Sequence, residues 1–82
     1  MMPALETLLV FVHPDCAASR NLLEDFRRRR VRFTEVDVTT GPEAMERLRE
    51  WSWESRLPVV VDHERVSIGF RGASTTFDAL GL

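Results

Sequence analysis

The chain has 82 residues, which bounds it to one domain (residues 1–82) with one modest core; at that size roughly 60–65% of the unfolded surface is buried, so little apolar area can be left idle. Hydrophobic residues make up 44% and charged residues 29%, a globular balance that excludes a disordered chain. A formal net charge of -2 supplies no global field for nucleic acid or anionic lipid, and a single cysteine excludes an internal disulfide or a multi-cysteine zinc site.

The opening "MMPALETLLVFV" lacks a basic leader region, carries Glu6, and is far too short in its apolar run to span a bilayer. Neither a signal peptide nor a membrane helix is expected. A lone thiol fits a reducing compartment, so the expected location is cytoplasmic. Residues 7–12 ("TLLVFV") read as a buried strand ending at Pro14. From Cys16 the pattern turns helical, with Leu22, Leu23 and Phe26 on one face and Arg20, Glu24, Asp25 and Arg27 on the other. That helix fades in the run 27–30, where arginines suit the negative end of the helix dipole.

Residues 31–38 ("VRFTEVDV") form a second strand. Its apolar pairs, Val31 with Phe33 and Val36 with Val38, are out of phase, which predicts a bulge or burial on both faces. "TTGPEAMERLREW" then reads as a helix, with Thr40 and Glu43 as a capping box, Pro42 in the first turn, and Met45, Leu48 and Trp51 as the inward stripe. "LPVVV" (residues 57–61) is continuously apolar, as a central strand buried on both faces would be. "DHER" turns it into "VSIGF" as a hairpin, and His63 is read as a turn residue. After Gly72, "STTFDAL" reads as a short closing helix capped by Ser74 or Thr75. The order is βαβαββα, with a parallel, right-handed first βαβ unit and an antiparallel final pair.

Cys16 stands at the one corner where a cysteine gains chemistry. A thiol at the first turn of a helix faces free backbone N–H groups and the positive dipole end, both of which favour thiolate. Ser19 lies one turn on, so its hydroxyl can donate to the same sulfur, and His13 would add charge when protonated. Asp15 opposes them. The balance favours thiolate, whereas a lone cysteine within a strand or mid-helix would be read as packing. All eleven basic residues are arginine; the cluster at 27–30 and 32 reads as a solvated helix end, not as a nucleic-acid site or a dock for an acidic partner. Of Trp51 and Trp53, one is expected in the core and Trp53 as an exposed partner anchor. His13, Asp15 and Cys16 are too crowded for a closed metal site, so none is expected.

Element order together with four segments makes the chain resemble the thioredoxin fold in its short, glutaredoxin-sized form, an α/β domain with a four-stranded mixed sheet flanked by three helices. "FVHPDCAAS" resembles the glutaredoxin active-site corner, and "VDVTTGPEAMERL" the strand-to-helix segment after the first helix. "RLPVVV" resembles the strand opened by the family's cis-proline, and "VSIGFRG" the glycine-containing turn after the hairpin. "LPVVV" and "IGFRG" are near the "LPVV" and "SGFRP" of the NrdH-redoxins, glutaredoxin-like proteins that reduce ribonucleotide reductase.

The resemblance implies that Cys16 is the nucleophile and that the Leu57–Pro58 bond is cis, presenting the Leu57 backbone to a peptide or glutathione like an added strand. It places Gly69 and Phe70 in the turn flanking that groove, Arg71 as the subgroup's arginine, and His13 where a cation steers a substrate carboxylate. Dithiol redoxins have a second cysteine where this chain has Ser19, so "CAAS" implies a monothiol site. Exchange would run through a mixed disulfide resolved by glutathione or another low-molecular-weight thiol, with no tightly bound cofactor. Iron–sulfur-carrying relatives are marked by "CGFS", and Ala17 and Ala18 replace its Gly-Phe pair. Expected partners of a monomer are disulfide-containing or thiolated proteins, ribonucleotide reductase among them, with no nucleic acid or membrane. Two rivals stay open: a redox-inactive binding module using the Leu57–Pro58 edge and Trp53, and a sensor whose Cys16 pairs between two chains or is capped under oxidation.

Overall fold

The computed structural model describes residues 8–52, 54–62 and 65–82. Thr7, Trp53 and His63 lie outside the described residues. The elements are β1 (Leu8–Val12), α1 (Ala17–Arg28), β2 (Phe33–Asp37), α2 (Pro42–Trp51), β3 (Arg56–Leu57), β4 (Val59–Val61), β5 (Val66–Ile68), β6 (Thr75–Thr76) and α3 (Phe77–Leu80). Four strands form a mixed sheet in the order β2-β1-β4-β5. β1 runs parallel to β2, as a βαβ unit requires, and antiparallel to β4, which pairs antiparallel with β5. No helix among the described residues is long and apolar enough to cross a membrane.

β1 is central, and its alternating side chains seed a core on each face of the sheet. Val10 and Val12 pack with Leu22, Leu23 and Phe26 of α1. Phe11 turns the other way and joins Val59, Val61, Leu48 and Leu57. β2 follows the same rule: Val31 and Phe33 lie against the α1 layer, Val36 and Val38 in the opposite one. The register from Leu8↔Phe33 to Val12↔Asp37 runs unbroken, so the phase change is burial on both faces and not a bulge.

Four local expectations are corrected. Gly41, not Thr40, is the N-cap of α2, and no side chain caps it. The Thr40 hydroxyl is committed to Asp37 O at 2.7 Å, because Asp37 organises the preceding turn by accepting the Thr39 N–H and hydroxyl. Trp51 is 41% exposed, and Ala44 and Leu48 form the buried stripe. As the last residue of α2, Trp51 instead lines a cleft of about 200 Å³ with Val66 and Ile68. The run "LPVVV" is two strands, since Pro58 has no N–H for a ladder: Leu57 pairs with Thr75, while Val59–Val61 enter the main sheet. α3 is capped by Thr76, whose Oγ1 accepts the Ala79 N–H at 3.3 Å, because the two threonines are held extended in β6.

α1 ends in a Schellman motif. Val31 N–H reaches Phe26 O at 2.9 Å and Arg30 N–H reaches Arg27 O at 3.1 Å, with Arg30 left-handed at φ 58. A side chain in that conformation costs roughly 1–2 kcal/mol, partly offset by the extra freedom a glycine has when unfolded. Arg30→Gly is therefore expected to stabilise the domain by about 0.5–1 kcal/mol and raise Tm by roughly 3–6 °C in thermal melts. An unchanged or lower Tm would contradict this account of the helix end.

Candidate active site

The corner between β1 and α1 sets the position of Cys16. His13 O accepts the Cys16 N–H at 3.0 Å, closing a turn through Pro14 and Asp15. Cys16 then serves as the N-cap of α1 with extended backbone (φ -93, ψ 108), and its sulfur does what a serine or aspartate oxygen usually does there. Sγ accepts the Ser19 N–H at 3.4 Å and donates its proton to Leu57 O at 3.5 Å. The side chain is 0% exposed and belongs to the core layer of Phe11, Leu48 and Leu57.

Burial pushes the Cys16 pKa up. The Ser19 and Thr75 hydroxyls beside the sulfur, and the backbone N–H groups of Ser19 and Ala18, outweigh it, so the thiol lies below its ordinary value of 9.0. Ser19 Oγ is itself fully buried and has no hydrogen-bond partner of good geometry. It stands beside the sulfur as a donor whose natural acceptor is the thiolate.

Cys16, Ser19, Leu57 and Pro58 are brought together, and the Leu57–Pro58 bond is cis. Gly69 joins them through its N–H, which donates to Pro58 O at 2.7 Å. Phe70 and Arg71 lie farther round the surface. Arg71 stacks on the Phe70 ring at 5.1 Å and approaches Asp25 Oδ1 on α1 at 3.6 Å, and Arg29 pairs with the other carboxylate oxygen at 2.7 Å. His13 is buried at 6% exposure and accepts the Asp15 N–H on Nδ1 at 3.0 Å. It lines a cleft of about 240 Å³ with Ser19, Arg20, Arg27 and Asp37. Asp37 is held below the usual carboxylate range by Thr39, whose hydroxyl and N–H both donate to it. Among the described residues no cluster of three His, Cys, Asp or Glu side chains stands ready for a metal ion.

Thr75 is the site residue that sequence reasoning did not select. Its only sequence-level signal is chain length: three residues separate Gly72 and Thr76, enough to return the chain to Leu57 before α3 begins.

A family model described as Glutaredoxin matches residues 8–66, more than two thirds of the chain. The glutaredoxin-like protein NrdH-redoxin from Escherichia coli, solved for its thioredoxin-like activity profile, is 28% identical with a TM-score of 0.68, over 79% of this chain and 84% of that one. The thioredoxin-like protein BC3987 is likewise 28% identical at a TM-score of 0.68, over 82% and 86%. Comparison with curated protein sequences finds no match.

The rate of Cys16 alkylation against pH is expected to report a pKa below 9.0, and Ser19→Ala is expected to move it upward. No upward movement would mean that the hydroxyl does not serve the thiolate. A thiol whose folded pKa lies below its unfolded one stabilises the fold above the unfolded value and loses that contribution as pH falls through the folded one. The stability of the native chain relative to Cys16→Ser should therefore rise with pH up to about 9 in denaturant melts.

Proposed function

Because the chain belongs to the glutaredoxin family, we propose that it is a monothiol thiol–disulfide exchange protein working through Cys16. A glutaredoxin- and NrdH-redoxin-like thioredoxin fold points to thiol–disulfide redox function. The observation that carries the finer reading is the helix N-cap position of a cysteine that Ser19 and Thr75 favour as thiolate. Cys16 is the only cysteine of the chain, so no internal disulfide can close.

The Cys16 thiolate attacks one sulfur of a mixed disulfide R–S–S–R′. A new Cys16–S–S–R bond forms, the old S–S bond breaks, and R′–S⁻ leaves and takes a proton from water. A low-molecular-weight thiolate, glutathione or another of that class, then attacks the R sulfur, forms its own disulfide with R, and returns Cys16 as thiolate. No electrons are gained overall, and the disulfide passes from one partner to another. Leu57, Pro58 and the Gly69 turn form the substrate groove in this reading. The substrates are disulfide-bearing or thiolated proteins, ribonucleotide reductase among the candidates.

A second reading is favoured by one observation, the complete burial of Cys16. In it the thiol is a packing residue, and the protein acts as a redox-inactive binding module.

Cys16→Ser is expected to leave the circular dichroism spectrum intact and to reduce exchange with a glutathionylated peptide to the rate of the small thiol alone. Exchange retained in the variant would sink the monothiol mechanism. No exchange by the native chain would select the binding module.

A further inference from the structure

A redoxin that captures an extended substrate needs open backbone groups just ahead of its cis-proline. Here they are already taken. Residues 73–76 return from the Phe70–Ala73 turn and lie antiparallel to β3, with Thr75 opposite Leu57 and Thr76 opposite Arg56. This segment brings the Thr75 hydroxyl to Cys16, whose side chain has no exposed surface.

Several features hold the segment there. Phe70 and Ala73 exchange backbone hydrogen bonds of 2.8 and 2.9 Å across Arg71 and Gly72, at φ 54 and 80, the signs a type I′ turn requires. Gly69, at φ 91, makes room for it, since a Cβ there would stand 2.9 Å from Ala73 O. Arg56 Nη1 donates to Ser74 Oγ at 2.9 Å, and Phe77 N–H to Ser55 O at 2.8 Å. The hold is also slight. β6 pairs over two residues, and none of residues 73–76 is fully buried. Such a segment belongs to the low end of local stability, where opening needs no global unfolding.

We infer that β6 is a built-in stand-in for a substrate strand, which occupies the Arg56–Leu57 edge, closes Cys16, and is displaced by an extended polypeptide that pairs in its place. The inference rests on the thiol–disulfide reading and adds to it a gate and a substrate class. An extended polypeptide can replace the backbone pairing of β6 along its length, whereas a small organic disulfide cannot. The segment also lies beyond residues 8–66, which the family model matches.

The test is iodoacetamide labelling of Cys16 at about pH 10, where the thiol is almost wholly ionised and the rate reads access. Native protein should react on the order of tenfold or more slowly than an unfolded cysteine peptide. Thr75→Pro, which removes the N–H of the pair, should speed labelling by about tenfold. Thr75→Gly is the milder version should Thr75→Pro fail to fold. Phe33→Ala weakens the opposite apolar layer, on the far edge strand of the sheet, and should leave labelling slow. A native rate equal to that of the peptide, equal rates in native and Thr75 variants, or equal acceleration by Phe33→Ala would overturn the gate. Exchange with a glutathionylated peptide is followed in parallel. Labelling that depends on β6 without exchange would overturn the redox reading and leave the gate standing, and exchange with labelling indifferent to β6 would do the reverse.

Discussion

One contact fastens the two halves of this domain at its working end: the Cys16 thiol against the carbonyl of Leu57, 41 residues away in sequence. It is met from one side by the end of β1 and the start of α1, and from the other by the chain entering β4. Neither side could be displaced alone. β1 is paired on both edges, and the N–H of Ser19 fixes the sulfur to the helix end. Around this contact the two apolar layers divide, with Leu22, Leu23 and Phe26 of α1 over Val10 and Val12, and Leu48, Leu57, Val59 and Val61 with Phe11. The sulfur is thus a packing atom and a reactive atom at once, and the same neighbours decide both properties.

That dual character sets the chemistry the site can perform. Desolvation alone would make the thiol inert, because a charged sulfur is penalised in an apolar layer. Hydroxyl and N–H donors reverse the balance without opening the site to water. A thiolate kept this way is preorganised, since the dipoles that stabilise it are already pointed before the proton leaves. The cost falls on access, and access is governed by β6. α1 supplies most of the groups that favour the thiolate, while β6 adds the Thr75 hydroxyl and limits exposure.

Much of this was legible in the sequence, for reasons that differ by residue. Cys16 was readable because the apolar run, Pro14 and the helix pattern of Leu22, Leu23 and Phe26 fix a strand-to-helix corner locally. The cis bond at Pro58 was readable only through family resemblance, as was the groove beside it. β2 could be predicted as two-sided once its phase was noticed, but its register comes from β1, which no local signal specifies. Thr40 looked like a cap because its spacing to Glu43 fits a capping box, and Asp37, three residues earlier, competed for its hydroxyl. Trp51 fitted the helical stripe, yet a stripe gives direction and not where the opposing surface ends. β6 was hidden altogether, since a two-residue strand carries no periodicity and its partner lies eighteen or more positions away.

Ser19 Oγ leaves a mark on the stability of the fold itself. A buried hydroxyl without a partner costs about 1–3 kcal/mol, a sizeable fraction of what holds a domain of this size together. An alanine would avoid the cost and fit the helix at least as well. The resting protein therefore carries, in its most sheltered layer, a group that weakens it until the neighbouring sulfur becomes an anion. Such a residue marks a trade of durability for reactivity. Selection for a merely robust domain would have removed the oxygen, and its presence ties this helix end to the sulfur it faces.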